Sequence, residues 1–285
     1  MPTFEDEFRR FFPIARILGR ASLLGKKLVV RGAENFVRDG PSIIVGNHCG
    51  SFKDVAVIAL TAPRPFFFTA NKMIFSREEL RFLVRKHLKR HLGRFGLFLN
   101  FLLNPLYALF IQLISSNVAK VGTVPVDLYN HGKRQAVERC QDYLKMGRSI
   151  VALQGRGRVV PEDPNPYVKS FGRGMSIVAY NVYERFGMSV PVTPLAIYGT
   201  QLPFLIPGKV LVNVGKPMFI ADHLGGGMKA SVDRFKAAME ATVNMLFLEL
   251  IRRRPGPRAL PGGPLPPYSS VDTSHGRVAS RRLVP

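Results

Sequence analysis

A histidine and an aspartate stand close together near the start of the sequence, in a stretch suited to proton transfer. His48 follows the β-branched apolar run 42–45, which is typical of a buried strand ending in a Gly-Asn turn. Ser51 and Asp54 precede a second apolar run, as in the capped first turn of a helix. An imidazole backed by a carboxylate can act as a general base, because the carboxylate fixes its tautomer and stabilises the imidazolium. The alternative is structural, with Asp54 as a helix cap and His48 as a donor in the turn.

A second polar stretch ends a later predicted strand. The largely apolar residues 149–153 are followed by glycines and arginines alternating over 155–158. Glycines let a phosphate approach the backbone closely, and each guanidinium group offers forked hydrogen-bond donors. Gly155, Arg156 and Arg158 are therefore candidate phosphate ligands, although runs of this composition also occur in solvated loops.

The two cysteines do not form a recognisable framework. Cys49 and Cys140 have neither disulfide nor metal-finger spacing, which favours a reducing compartment and argues against a metal site. Cys49 lies beside His48 and could be proposed as a nucleophile, but a small filler residue is the favoured interpretation.

The chain is strongly basic and requires an anionic partner or surface. Its 285 residues include 41 Lys and Arg against 19 Asp and Glu, a formal net charge of +22. Nucleic acid and an anionic membrane are the two candidates. The sequence has no helix-turn-helix, zinc-finger or aromatic RNA-binding signature, so we expect no nucleic-acid partner. RNA binding by the basic stretch 77–94 stays the less favoured alternative.

The stretch 77–114 favours the membrane. Residues 77–94 form a basic amphipathic pattern, and residues 95–114 are twenty positions without a charge, which is enough to span a bilayer. Two asparagines and Pro105 interrupt this run, favouring a re-entrant or in-plane helical pair. We predict a monotopic membrane anchor inserted in the fold. The alternative is a buried helical hairpin that covers the core.

The rest of the chain predicts one α/β domain with attached ends. Residues 1–26 place apolar side chains at helical spacing beside arginines, which predicts an amphipathic helical segment. Residues 27–253 can bury one core and contain the insertion described above. Residues 254–285 are rich in Pro, Gly and Arg and are predicted to be disordered.

Within the domain, helices are predicted at 52–61, 132–147, 169–186 and 229–252. In the second of these, Ala136, Cys140 and Leu144 are expected to share one buried face. The stretch 190–200 has the composition of a buried strand, and its two prolines predict an edge position or a bulge.

Four of these stretches together resemble the glycerolipid acyltransferase family, whose members acylate lysophosphatidic acid or glycerol 3-phosphate. The family's first motif is Asn-His, then Ser, then Asp. Asn47, His48, Ser51 and Asp54 match it in type, with five residues between the His and the Asp where the family has four. Gly50 can accommodate the extra residue as a bulge.

The later motifs resemble the family to different degrees. The stretch 152–158 corresponds to the family's Phe-Pro-Glu-Gly-Thr-Arg, but Leu153 and Gln154 stand in place of Pro and Glu. The stretch 190–197 matches the pattern Val-Pro-Val-x-Pro-x-x-Ile closely. Lys72 is displaced by one position from a family lysine that lies in the substrate cleft.

The resemblance implies one mixed β-sheet flanked by helices, as in glycerol-3-phosphate acyltransferase. It also implies transfer of a fatty acyl group from acyl-coenzyme A or an acyl-carrier protein to a hydroxyl of a lysophospholipid such as 1-acyl-glycerol-3-phosphate, in phospholipid biosynthesis or remodelling. No other cofactor and no metal are expected, and the protein would associate with membrane lipids at the cytoplasmic face. The alternative is an acyltransferase fold that has lost catalysis and binds lipid.

If the chain is a working member of this family, the resemblance implies that His48 and Asp54 are the catalytic residues. The residues implied in substrate binding are Asn47, Ser51, Lys72, Gly155, Arg156 and Arg158.

Overall fold

The computed structural model describes part of the chain. The described residues are 13, 16–17, 19–50, 52–82, 108, 112, 123–126, 133–154, 168, 170–202 and 207–252. Several predictions therefore fall outside the described residues. They are the first twelve residues of the predicted amphipathic segment 1–26, most of the predicted membrane anchor 77–114, and the predicted disordered tail 254–285. Four predicted site residues also lie outside them, namely Ser51, Gly155, Arg156 and Arg158.

Within the described residues, seven strands form one mixed sheet. They are β1 Lys26–Arg31, β2 Ser42–Asn47, β3 Phe67–Asn71, β4 Thr123–Val126, β5 Ser149–Gln154, β6 Val192–Tyr198 and β7 Gly208–Val214. Their order across the sheet is β1-β7-β6-β2-β5-β3-β4. β6 and β7 are antiparallel, and the other neighbouring pairs are parallel. Five strands, β2 to β6, consequently end at one edge of the sheet, called here the carboxyl edge, where β1 and β7 begin.

Four longer helices flank this sheet. They are α1 Phe52–Thr61, α2 Lys133–Lys145, α3 Gly174–Phe186 and α4 Gly227–Arg252. Short 3-10 turns lie at Ala33–Asn35, Lys72–Phe75 and Ile220–His223. The α1 bounds agree with the prediction, and α2 buries its predicted face of Ala136, Cys140 and Leu144. Among the helices of the described residues, none is both long and apolar enough to cross a bilayer.

The core has two layers, one on each face of the sheet. Because side chains alternate along a strand, β2 contributes Ile43 and Val45 to one layer and Ile44 to the other. The first layer contains the buried faces of α2, α3 and α4. The second contains α1 together with Leu23 and Phe36. Every residue of β2 is buried, as expected for a strand covered on both faces and paired on both sides.

The predicted edge position of the strand at 190–200 is wrong, because β6 lies inside the sheet between β7 and β2. Its proline, Pro194, pairs with Val45 of β2. On the other side the β6–β7 ladder begins one residue later, at Leu195 and Val214. Gly215 donates its amide to the Pro194 carbonyl at 2.8 Å. The missing N–H of the proline thus falls where the pairing with β7 ends, which is how an interior strand tolerates it.

Candidate active site

Strand β2 brings Asn47 to the carboxyl edge and fixes it there. The Asn47 side chain has no exposed surface, and its amide nitrogen donates to the Ile197 carbonyl at 2.8 Å. The Ile197 amide donates in return to Asn47 Oδ1 at 2.7 Å. The last backbone pair between β2 and β6 is Gly46 with Leu195. The two bonds of the Asn47 side chain extend the contact between these strands beyond that pair. Only a side chain with both a donor and an acceptor can make this exchange, so the amide supports the backbone from which His48 projects.

His48 and Asp54 contact each other directly. His48 Nδ1 lies 2.8 Å from Asp54 Oδ2, with the imidazole 31% exposed and the carboxylate fully buried. Because an ionised carboxylate only accepts hydrogen bonds, Nδ1 carries the proton and Nε2 is the basic nitrogen. The structure thus brings together the two residues predicted to be catalytic, despite the five residues that separate them in the chain.

Two further donors hold the Asp54 carboxylate. The Gly50 amide donates to Oδ2 at 2.7 Å, and the Thr200 hydroxyl donates to Oδ1 at 2.5 Å. A buried charge is tolerated when such hydrogen bonds replace its lost hydration. His48, Gly50, Asp54 and Thr200 are called here the dyad pocket.

Residues 47–50, from the last residue of β2 toward α1, are called here the dyad loop. A Cβ on Gly50 would overlap the Cβ and hydroxyl oxygen of Thr200. Glycine is therefore needed for close packing of the loop on the turn that follows β6. The Lys53 amide then donates to the Gly50 carbonyl at 3.2 Å, at the start of α1.

Cys49 is a packing and hydrogen-bonding residue of this loop. Its Sγ lies 3.3 Å from Thr200 Oγ1 and 3.6 Å from the Ile197 carbonyl oxygen. Burial raises the pKa of the Cys49 thiol, and the negative charge of Asp54 raises it further. Because the thiolate is the nucleophilic form, this site argues against Cys49 as a nucleophile.

Lys53 fastens the turn after β6 to the start of α1. Its side chain is 7% exposed, and Nζ donates to the Leu202 carbonyl at 2.5 Å. Burial lowers the pKa of the Lys53 ammonium, and the positive charge of Lys26 lowers it further. Lys26 begins β1, so the basic start of that strand lies near the same edge.

The other predicted residues are placed differently. Lys72 is exposed in the 3-10 turn after β3, and β5 separates that strand from β2. At about 4.8 Å per strand, the ends of β2 and β3 are roughly 10 Å apart. Asn47, His48, Asp54 and Lys72 thus share the carboxyl edge, but Lys72 lies outside the dyad pocket.

Gln154, which replaces the family's glutamate, ends β5 and binds the segment ahead of α3. Its Oε1 accepts the Gly172 amide at 3.1 Å. Residues 170–173 are called here the α3 lead-in. Glu240 of α4 accepts the Phe171 amide at 2.9 Å, and Arg173 pairs with Asp233 through two nitrogens at 2.6 and 2.9 Å. The lead-in thereby adjoins the end of β5, where residues 155–158 begin.

Sequence reasoning missed Thr200, Lys53 and Gln154 as residues that shape the site. The signal for Thr200 was its position directly after a strand that ends at the same edge as β2. Because parallel strands end together, a polar residue after any of β2 to β6 is a candidate for this edge.

Metal binding has no visible basis in the described part of the chain. There, no group of three or more His, Cys, Asp or Glu side chains is placed to hold an ion. The dyad pocket itself offers a basic nitrogen, His48 Nε2, that can take part in proton transfer.

Comparison with known proteins bears on the fold. No protein-family model matches the sequence, and no curated protein matches it significantly. Among solved structures, the chain matches the crystal structure of the 1-acyl-sn-glycerophosphate (LPA) acyltransferase PlsC from Thermotoga maritima, with a TM-score of 0.54 and 19% identity. The match covers 89% of this chain and 85% of that chain. This chain therefore has the α/β fold of that acyltransferase, one mixed sheet flanked by helices, as its sequence predicted.

Proposed function

We propose that the protein is an O-acyltransferase that moves a fatty acyl group from a thioester to a hydroxyl of a lysophospholipid. The observation that carries the proposal is the contact of 2.8 Å between His48 Nδ1 and Asp54 Oδ2. It lies at the edge where ligands bind in sheets with parallel strands, in a fold shared with an LPA acyltransferase. Neither observation alone supports a reaction class, but together they support acyl transfer.

The dyad supplies the base for this reaction. His48 Nε2 takes the proton of the acceptor hydroxyl as its oxygen attacks the thioester carbonyl carbon, and Asp54 stabilises the imidazolium that forms. The carbon–sulfur bond then breaks, and the departing thiolate takes the proton from His48. The products are an ester and a free thiol. A thiol pKa of about 8.5 makes this leaving group a good one.

The finer assignments in this proposal come from the sequence. The donor is an acyl-coenzyme A or an acyl-carrier protein, and the acceptor is a lysophospholipid such as 1-acyl-glycerol-3-phosphate. Arg156 and Arg158, after β5, are proposed to hold its phosphate. Membrane association at the cytoplasmic face, in phospholipid biosynthesis or remodelling, rests on the basic and apolar stretch 77–114.

Loss of catalysis was the competing interpretation, and it rested on the stretched His-to-Asp spacing. The contact of 2.8 Å between His48 Nδ1 and Asp54 Oδ2 supports the catalytic proposal over this alternative. A lipid-binding protein without turnover remains the outcome to expect if the assay below fails.

The test is release of free thiol from a long-chain acyl-coenzyme A by detergent-solubilised protein, with and without lysophosphatidic acid. Removing a general base typically costs about 10²- to 10⁴-fold in rate, so His48→Ala is expected to lose acceptor-dependent release. His223→Ala is the matched control. His223 lies in the turn Ile220–His223 after β7, at the opposite edge of the sheet.

Two outcomes would overturn the proposal. One is wild-type protein that releases no thiol with any lysophospholipid. The other is acceptor-dependent release that His48→Ala retains in full.

A further inference from the structure

Asp54 is held by a second chain segment besides the loop that precedes it. Its Oδ2 faces His48 and the Gly50 amide, both from the dyad loop. Its Oδ1 accepts a hydrogen bond from Thr200, which lies 146 residues away in the sequence. Thr200 therefore fixes the half of the carboxylate that the dyad loop does not bind.

Thr200 is itself fixed by the sheet. It is fully buried and follows Gly199, whose φ is +96°. A Cβ on Gly199 would overlap the Lys209 carbonyl oxygen of β7, so the turn requires glycine. The Gly199 amide also donates to the Gln201 side chain at 2.9 Å. β6 and β7 consequently fix the backbone of the turn that carries the Thr200 hydroxyl.

The direction of the hydrogen bonds follows from the groups involved. Asp54, when ionised, only accepts, so Thr200 uses its single hydroxyl proton to bind Oδ1. Cys49 Sγ lies 3.3 Å from the same hydroxyl oxygen, and it also lies within reach of the Ile197 carbonyl and Gln201 Oε1. The hydroxyl proton of Thr200 is thus committed to Asp54, whereas the single thiol proton of Cys49 has several acceptors within reach.

Thr200 is also the residue on which Gly50 of the dyad loop packs. Gly50 packs against its Cβ and hydroxyl oxygen with no space for a side chain. Gly50 in turn donates its amide to Asp54 Oδ2. Packing of Gly50 on Thr200 thus places the Gly50 amide, one of the donors to the carboxylate among the described residues.

We infer that Thr200 is a positioning residue for the candidate catalytic pair, His48 and Asp54. It holds the Asp54 carboxylate so that Oδ2 faces His48, although five residues separate His48 from Asp54 in the sequence. This inference rests on the proposed function, because it assigns Thr200 a part in that reaction. Thr200 acts through Asp54 and has no contact with the reacting atoms in this assignment.

The test compares Thr200→Val, which removes the hydroxyl, with Thr200→Ser, which keeps it. Loss of an outer-shell partner of a metal ligand typically costs about 10- to 100-fold in activity, and we expect an effect of the same order for a partner that orients the dyad carboxylate. Thr200→Val is expected to lower kcat by this factor in acceptor-dependent thiol release, with KM for the acyl thioester within about twofold of wild type. Thr200→Ser is expected to retain most of kcat. Equal losses in the two variants would overturn the inference, because packing and not the hydroxyl would then matter.

A double variant tests whether Thr200 acts through Asp54. In an Asp54→Asn background, Thr200→Val is expected to cause little further loss of kcat, because residues that act as a unit are not additive. A full and independent loss in that background would assign Thr200 a different role.

Hydrogen exchange keeps this inference separate from the proposed function. The Gly50 amide is bonded to Asp54, so peptides containing it should exchange faster in Thr200→Val than in Thr200→Ser or wild type. This readout needs no turnover. An inactive wild-type protein with the expected exchange pattern would overturn the reaction alone, whereas unchanged exchange in Thr200→Val would overturn the positioning role.

Discussion

The dyad pocket and the α3 lead-in lie at the same edge of one sheet, but they are held by different kinds of contact. In the dyad pocket, Asp54 and Thr200 are fully buried, and three donors converge on the Asp54 carboxylate. In the lead-in, Arg173 and Asp233 form their ion pair with side chains 55% and 38% exposed. One region depends on desolvated hydrogen bonds and the other mainly on contacts that water can replace.

This difference has an energetic consequence. Removing one partner of a buried, charged hydrogen bond leaves a desolvated group unpaired. This costs several kcal/mol of folding free energy when the group left unpaired is itself charged. An exposed ion pair typically contributes only about 0.2–1 kcal/mol. Substitution is therefore expected to be costly in the dyad pocket and inexpensive at the exposed Arg173–Asp233 pair of the lead-in, whereas Phe171 of the lead-in is buried in the core.

The largest effect is expected from Asp54→Asn, which tests whether the buried region controls the chemistry. An amide can donate to His48 Nδ1, which leaves the proton on Nε2 and removes the base. We expect kcat for acceptor-dependent thiol release to fall by about 10²- to 10⁴-fold. A variant that keeps more than about half of the wild-type kcat would contradict this role of the carboxylate.

An intermediate effect is expected from Gly50→Ala, since a Cβ there would overlap Thr200. Forcing a methyl group into a packed site typically costs about 1–3 kcal/mol, and we expect a loss of this size in the free energy of unfolding, measured with urea. Turnover should fall as well, because Gly50 and Thr200 both bind Asp54.

The matched control for this substitution is Gly174→Ala, at the start of α3 beside the lead-in. A Cβ on Gly174 meets nothing within 4 Å, and alanine is the better helix former by up to about 1 kcal/mol. Its stability should be unchanged or slightly higher. If both glycine variants lost the same free energy of unfolding, the proposed contrast between the two regions would not hold.

The smallest effect is expected from Arg173→Ala, which removes the exposed ion pair of the lead-in. We expect a loss of about 0.2–1 kcal/mol in the free energy of unfolding, and less at high salt because of screening. Arg134→Ala provides the comparison, since Arg134 pairs with Glu138 on the exposed surface of α2 at 2.9 Å. A loss well above about 2 kcal/mol for Arg173→Ala would show that the lead-in is as constrained as the dyad pocket.

Features encoded locally could be predicted from the sequence. The apolar run after Asp54 and its start signal predicted α1 at the bounds at which it is found. The contact between His48 and Asp54 is also local, because one residue follows a strand and the other lies in the first turn of the next helix. Such features depend on the spacing of a few neighbouring residues.

Features that depend on strand order could not be predicted in this way. Thr200 reaches Asp54 only because β6 lies next to β2, and its position after a strand makes it one candidate among several until the strand order is known. The interior position of Pro194 could not be predicted for the same reason, since it depends on where the hydrogen-bonded pairing between β6 and β7 begins. Gln154 likewise binds the lead-in through a packing arrangement set by α3 and α4.

The pairing of β1 has a consequence for how the chain assembles. Within the described residues, β1 pairs with β7 alone, and Lys26 lies opposite Gly208. During synthesis from the N-terminus, β1 is made first among the strands of this sheet, yet its partner is made last. Pairings between such distant segments form slowly, because the entropy of closing the long intervening loop must be overcome first. The strand that emerges earliest therefore stays unpaired until β7 has been made, and the pairing of β1 with β7 completes the sheet, on which α4 then packs.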